Sequence, residues 1–439
     1  MLTIDKSCAR MAPLPIWLAP GITRLNGWTL MLANFAVIGT LASLNVAQSY
    51  ILTQHLHLPP ESQGTVSGDL AFWNEVLIIL LAAPFGVLSD RVGRRPIIAL
   101  GTLMIGAGFV IYGLAESLTA LTVGRIVYAV GAAAGSGMVA TIAADYPQEI
   151  SRGKMVGIGS ILNAFGIVLL SGFLGSLPSK LVARGLDPIQ AGTNVMLIVA
   201  AFCVVAAAAF QFGLKGGVPA AQGAKTPLAT LFRDGLAAAR NPRIALAYAS
   251  AFTSRGDLVV VGLFISLWAV RSGVASGMSA ADALAKGTIT FVVSQTVALL
   301  WAPVLGFILD RVNRVTGVAF AMLLASAGYL ATALLVSPIG TPALIVFSIL
   351  GIGQVSALIT SQALIGQEAP IAERGSVVGV FSLFGAVGIL FATAIGGRLF
   401  DSWAPFAPFV IMGVANLALL VAAIVVRLKS PGLMLKANR

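Results

Sequence analysis

The chain has 439 residues; 58% are hydrophobic, only 10% are charged, and the mean hydropathy is +0.96. A soluble chain carries about a quarter charged residues, so composition excludes a soluble globular domain. The net charge of +11 invites a nucleic-acid reading, but the basic residues are sorted along the chain in a way that orients a membrane protein.

Crossing the hydrocarbon takes about 20 apolar residues per helix, so this length fits roughly twelve spans with short loops. Helices are required because lipid cannot satisfy exposed backbone groups. Residues 1–27 read as an inner tail; Pro13, Pro15 and Pro20 interrupt them, and an interfacial turn is expected near Trp17 rather than a signal peptide. The first span, 28–53, carries Asn34, Asn45, Gln48 and Tyr50. A loop with His55 and His57 follows, read as solvated because no third ligand stands nearby, so no metal is expected. The second span, 65–88, holds Asp69, Asn74 and Glu75. Spans three to six are expected at 97–114, 118–143 (with Arg125), 155–177 and 192–213.

The most polar long segment, 215–243, divides the chain into halves at 28–214 and 244–427, with a surface helix predicted over 226–239. The second half places spans at 244–270, 287–309, 315–335, 343–365 (with Gln354), 376–395 and 408–426, and ends in a basic tail at 428–439. In this arrangement 20 of the 27 Lys and Arg fall on the side of both termini. Lys180, Arg184, Arg271, Lys286 and Arg398 fall on the other, and Arg125 and Arg255 stay inside spans. The positive-inside rule then puts both termini in the cytoplasm; a bacterial inner membrane is the expected location. Cys8 and Cys203 are separated by this topology, so no disulfide is expected.

Two motifs repeat. Gly86-Val87-Leu88-Ser89-Asp90-Arg91-Val92-Gly93-Arg94-Arg95 is echoed, 220 positions later, by Gly306-Phe307-Ile308-Leu309-Asp310-Arg311-Val312-Asn313-Arg314. Ser151-Arg152-Gly153-Lys154-Met155-Val156-Gly157 is echoed at an offset of 222 by Glu373-Arg374-Gly375-Ser376-Val377-Val378-Gly379. Two matched motifs at nearly one period mean a duplicated half. The first motif resembles the loop between helices two and three of the major facilitator superfamily of transporters, and the Arg-Gly-x-x-x-Gly elements resemble that family's loops four–five and ten–eleven. The resemblance covers nearly the whole chain. It implies an all-α membrane protein of twelve helices in two pseudo-symmetric six-helix halves.

Charges inside spans cost about 2.5 to 3.5 kcal/mol each on the insertion scale, so they need partners or water. Glu75, Arg125, Arg255 and Asp257 are the cases here. Internal ion pairing is one reading. The other is a substrate and proton-coupling site, to which Asn45 and Gln354 add polar groups. Arg255 and Asp257 stand about 200° apart on a regular helix, so Glu75 is the candidate partner for Arg255, and Asp257 is expected to face the cavity. Gly256 between them permits local unwinding.

The resemblance places Arg125, Arg255 and Asp257 near the central cavity, and Arg125 with Ala129, Gly131 and Gly135 resembles the family's fourth-helix Arg element, linked to proton transfer in proton-coupled members. It also implies an inner latch: Asp90 near the start of helix eleven at Arg374, Asp310 near helix five at Arg152, Gly86 letting helices two and eleven touch, and Arg94 pairing with Asp145, with Arg91 and Arg311 supplying charge. The fifth helix lacks the proline-containing pattern of the family's drug–proton antiporters, and 215–221 lacks the Pro-Glu-Ser-Pro-Arg pattern of its sugar transporters.

The expected function is secondary active transport of a small organic, anionic solute by alternating access, coupled to protons, in a monomer embedded in lipid. No cofactor and no nucleic-acid partner are expected, and no enzyme: there is no nucleotide-binding Gly-x-x-x-x-Gly-Lys-[Ser/Thr] and no intramembrane catalytic constellation. Proton-driven efflux is the rival within transport; a non-transporting membrane sensor or partner subunit is the rival from another class.

Overall fold

The computed structural model describes residues 8–217, 228–370 and 373–432. Lys6, the middle of the 215–243 linker and the last residues of the basic tail lie outside the described residues. Among the described residues twelve helices are long and apolar enough to cross a membrane. In chain order the helices are α1 (Arg24–Gln54), α2 (Gln63–Val92), α3 (Arg94–Gly113), α4 (Leu118–Asp145), α5 (Arg152–Val182) and α6 (Pro188–Gly213). After α7 (Leu228–Ala237) come α8 (Pro242–Ala275), α9 (Ala280–Leu309), α10 (Arg314–Ala331), α11 (Thr341–Glu368), α12 (Arg374–Ser402) and α13 (Ala407–Lys429). α7 is the surface helix predicted in the linker, so α8 is the seventh span.

The helices run longer than the apolar stretches because capping residues lie beyond them. Thr23 and Asn26 form a capping box at the start of α1, each side chain bonded to the other's backbone N–H at 2.9 and 3.2 Å. Asp187 and Asn241 cap α6 and α8, each followed by a proline at the first helical position. The first motif is not an extended loop. α2 continues through Asp90 and Arg91 to Val92, Gly93 alone makes the turn at φ +94°, and α3 starts at Arg94. In the echo Asn313 has φ −61° and its side chain accepts from Val315 N–H at 2.9 Å. The departure from glycine is therefore a switch from a left-handed turn to an N-cap.

Two compact units make up the chain. Unit 1 comprises 1–58, 73–221 and 280–285; unit 2 comprises 59–72, 222–279 and 286–439. In unit 1, α1 packs on α5, and α3 lies between α4 and α6. Unit 2 repeats the plan with α8 on α12 and α10 between α11 and α13. Glycines set the closest approaches, as expected where helices must pack without a hydrophobic drive. A Cβ on Gly166 would strike the Phe35 carbonyl of α1, and one on Gly388 the Phe252 carbonyl of α8. Gly256 serves the same purpose. α8 is continuous through it, without the unwinding that a mid-span glycine permits, and an added Cβ would meet Met412 Cε at 2.7 Å and the Gly388 carbonyl at 3.1 Å.

The amino-terminal segment is more ordered than a tail with an interfacial turn. Met11 N–H donates to Ile16 O and Leu18 N–H to Ala9 O, a small hairpin that pairs along 146–148 through Ala19 N–H to Tyr146 O and Gln148 N–H to Trp17 O. Met11, Ile16 and Leu18 are fully buried beneath unit 1. Trp17 N–H donates to Ser151 Oγ at 3.0 Å, tying the hairpin to the residue before α5. At the opposite end His55 caps α1 and is half-buried rather than solvated; burial lowers its pKa, with the Ile189 backbone opposing.

Candidate functional site

In unit 1 the site grows from α4 and α1. Arg125, in the second turn of α4, is only 4% exposed. Its guanidinium donates to Asn45 Oδ1 at 3.1 Å and Gln48 Oε1 at 3.4 Å, and its Cζ lies 5.3 Å from the centre of the Tyr128 ring. Tyr112 donates to the same Gln48 oxygen at 3.2 Å, and Tyr128 donates to Leu41 O, holding α3 and α4 against α1. Arg125 Nε and Gln48 Nε2 are buried without acceptors. Among the described residues no carboxylate pairs with Arg125. Its charge is solvated by amide dipoles and a π face but not neutralised, and two idle donors stand beside it. Such a cluster favours an anion.

Unit 2 buries the opposite charge. The Asp257 carboxylate on α8 is fully enclosed and accepts from Asn416 Nδ2 of α13 at 3.1 and 3.0 Å. Its backbone carbonyl accepts from Tyr329 OH of α10 at 2.9 Å and Gln354 Nε2 of α11 at 3.4 Å. Gln295 of α9 donates to Gln354 Oε1 at 3.1 Å. Asn416 Oδ1 is buried without a partner. The carboxylate expected to face a cavity is instead the centre of a knot joining α8, α10, α11 and α13, because a 200° step along an unbroken helix turns it inward when Arg255 turns outward. Arg255 is exposed, its stem lying over Gly385 of α12. Glu75 is half-buried on α2.

The repeated motifs form ion pairs at the basic end of each unit. Arg94 pairs with Asp145 at 2.6 Å, linking α3 to α4 as expected, and approaches Asp90 at 3.8 Å. Asp310 lies 3.6 Å from Arg314, Arg311 stacks on Phe307, Arg152 pairs with Glu149 at 2.7 Å, and Arg374 donates to Gly366 O. Arg91 is exposed in the last turn of α2. A Cβ on Gly86 would meet nothing within 4 Å.

The structure thus joins Arg125 to Asn45 and Asp257 to Gln354. Sequence reasoning noticed Gln48 without assigning it to the site and missed Asn416 and Tyr112. Asn416 had a signal: it is an amide in the most apolar of the twelve helices, where a polar side chain needs a partner. Tyr112, at the end of a span, looks like an interfacial residue.

The family model of the Major Facilitator Superfamily matches residues 30–393 and 287–438. The magnetosome protein MamH of Paramagnetospirillum magneticum is 30% identical over 390 residues, covering 87% of each chain. The magnetosome protein MamZ of Magnetospirillum gryphiswaldense is 25% identical over 408 residues, covering 89% of this chain and 60% of MamZ. Among solved structures, a mutant of the nucleoside transporter NupG superposes with a TM-score of 0.72 at 14% identity, over 91% of this chain and 99% of that one. That similarity shows the fold. Twelve apolar helices, two repeated units and this family match lead to one conclusion: the chain is a multi-pass membrane protein of the Major Facilitator Superfamily, a secondary transporter.

Proposed function

We propose that this transporter moves a small organic anion by alternating access, coupled to protons, across a bacterial inner membrane, with both termini in the cytoplasm. The observation that carries the reading is Arg125, a nearly enclosed guanidinium held only by neutral acceptors, with its own Nε and the neighbouring Gln48 Nε2 left without acceptors. Leaving such a cation in a span is costly unless something negative visits it. Asp257, with one amide donor and no cation among its described partners, is the proposed proton carrier. Asp90 and Asp310 are the proposed inner latches, each a carboxylate offered to a facing helix N-terminus. Similarity to magnetosome proteins supports a bacterial membrane.

The test is a thermal-shift screen of purified protein with mono- and dicarboxylates, phosphate esters, and neutral and cationic controls. A ligand at 100 times its Kd adds about 2.7 kcal/mol of apparent stability. An anionic hit that stabilises wild type and leaves Arg125→Gln unmoved is expected. Only neutral or cationic hits, or an anionic hit acting equally on Arg125→Gln, would refute the site. With a hit in hand, the sign of the pH change on adding it to vesicles separates uptake with protons from proton-driven efflux.

A further inference from the structure

The second helix of each half lends its first turns to the opposite unit: 59–72, with the start of α2, belongs to unit 2, and 280–285, with the start of α9, to unit 1. Both starts lie at the end away from the basic motifs. Each is gripped there by the far end of another helix, α2 by α12 and α9 by α5.

The two grips differ in chemistry. Ser179 of α5 donates to Asp282 of α9, a bond exposed to solvent. On α2 the grip is built. Asp401, in the last turn of α12, accepts from Gly64 N–H at 2.9 Å and Thr65 N–H at 2.6 Å, the first free donors of α2. Its side chain is 8% exposed and lies 3.9 Å from Arg271. A turn further in, the backbones meet. A Cβ on Gly64 would fall 2.7 Å from the Gly397 carbonyl, and one on Gly68 would strike the Thr393 carbonyl. Arg398 pairs with Asp69 at 3.0 Å, but both side chains are about half exposed, so that pair contributes little.

We propose that Asp401 is the outer latch of this transporter: a carboxylate on α12 that caps the start of α2 in trans, locking the two helices through glycine-on-glycine contact. The orphan N–H groups and positive dipole of a helix start attract a shielded carboxylate. Asp90, at the opposite end of α2, is the aspartate proposed for the inner latch, so the same helix carries a carboxylate at one end and receives one at the other. Asp401 and the inner latch would then oppose each other, each formed when the other is released. The role of Asp401 rests on the alternating-access reading above and does not depend on the anion reading of Arg125.

The test uses the full chain with Cys8→Ser and spin labels at Glu61→Cys and Ser402→Cys, both exposed, in nanodiscs without ligand. Pulsed electron paramagnetic resonance reads the distance between the two labelled ends. The unaltered latch should give one short, narrow distribution. Asp401→Ala should add a longer population, raising the separated fraction about tenfold, and Asp401→Asn should raise it less. Gly68→Ala, which leaves the carboxylate in place, should separate the ends by steric clash. Asp282→Ala should barely change this distance. If Asp401→Ala is not monodisperse, Asp401→Asn and Gly68→Ala decide. Unchanged distributions in the monodisperse Asp401 variants would overturn the latch; a shift in Asp282→Ala as large as theirs would overturn its assignment to Asp401.

Discussion

The two units share one plan and bury opposite charges at places that do not correspond. Gly166 under Phe35 and Gly388 under Phe252 bring α1 and α8 into register at an offset of 217. Gly131 against the Gly101–Ile105 stretch and Gly353 against Ala325 do the same for α4 and α11 at 222. On that register Arg125 matches Phe347, and Asp257 matches Thr40. Phe347 belongs to an aromatic cluster, 6.3 Å from Trp268 and 5.5 Å from Phe409 between ring centres. Thr40 merely bonds back to its own helix at Ala36 O. The small residues that fix backbone approach persist in both copies, while polar positions diverged. One half became a cation cluster and the other an aromatic wall beside the enclosed Asp257 carboxylate.

The comparison breaks most decisively if the units prove interchangeable. Phe347→Arg would put a guanidinium where aromatic rings, and no described acceptors, surround it; an unpaired buried charge costs about 3 to 5 kcal/mol, so denaturant unfolding in detergent should show a severe loss. Near-wild-type stability would mean that the second unit already offers a cation site.

Next in size is the Asp257 knot. Asn416→Leu removes the donor and leaves the carboxylate unsatisfied, a loss of about 1 to 3 kcal/mol, and a second change, Asp257→Leu, should restore part of it. No recovery in the double variant would show that Asn416 acts by packing alone. Asp257→Asn should keep substrate exchange but lose gradient-driven accumulation; accumulation with normal pH dependence would move the coupling role elsewhere, with Glu75 the next suspect.

A smaller effect sharpens the cation side. Arg125→Lys keeps the charge but cannot bridge Asn45 and Gln48 at once, so binding of an anionic ligand should weaken about tenfold by titration, close to one charge-assisted hydrogen bond. Equal affinity would show that only net charge matters there.

The smallest contrast lies in the turns. Gly93→Ala forces a Cβ into a left-handed conformation, about 1 to 2 kcal/mol, and toward the Gly217 carbonyl at 2.7 Å. Asn313→Gly in the echo should cost only a few tenths of a kcal/mol. Thermal unfolding of both variants checks the order, and a reversed order would undo the account of how the two motif copies diverged.

Much of this was legible because hydropathy and charge are summed over long windows. Twelve spans and the duplicated half follow from runs and repeats of residues, whose physical cause is local: an apolar helix must cross lipid, and a repeated motif folds as a repeated turn. The pairing of Arg94 with Asp145 came from the family resemblance. The outward turn of Arg255 and the inward turn of Asp257 were half legible, since helical geometry separates them but does not say which one is enclosed. Asn416 against Asp257, Gln48 between Arg125 and Tyr112, and Asp401 on the start of α2 were not legible. The members of each pair are 159, 77 and 337 positions apart at their widest, and nothing in either local stretch names the other.

The sequence by itself therefore determined the solvent the chain lives in, its helix count and its internal repeat, because those depend on transfer energies and local backbone preferences. Only the tertiary structure decided which charges are neutralised, which stay unpaired and which glycine makes a contact. Gly86 and Gly68 look alike along the chain, yet one faces open space and the other meets a backbone; that difference comes from how whole helices lie against each other.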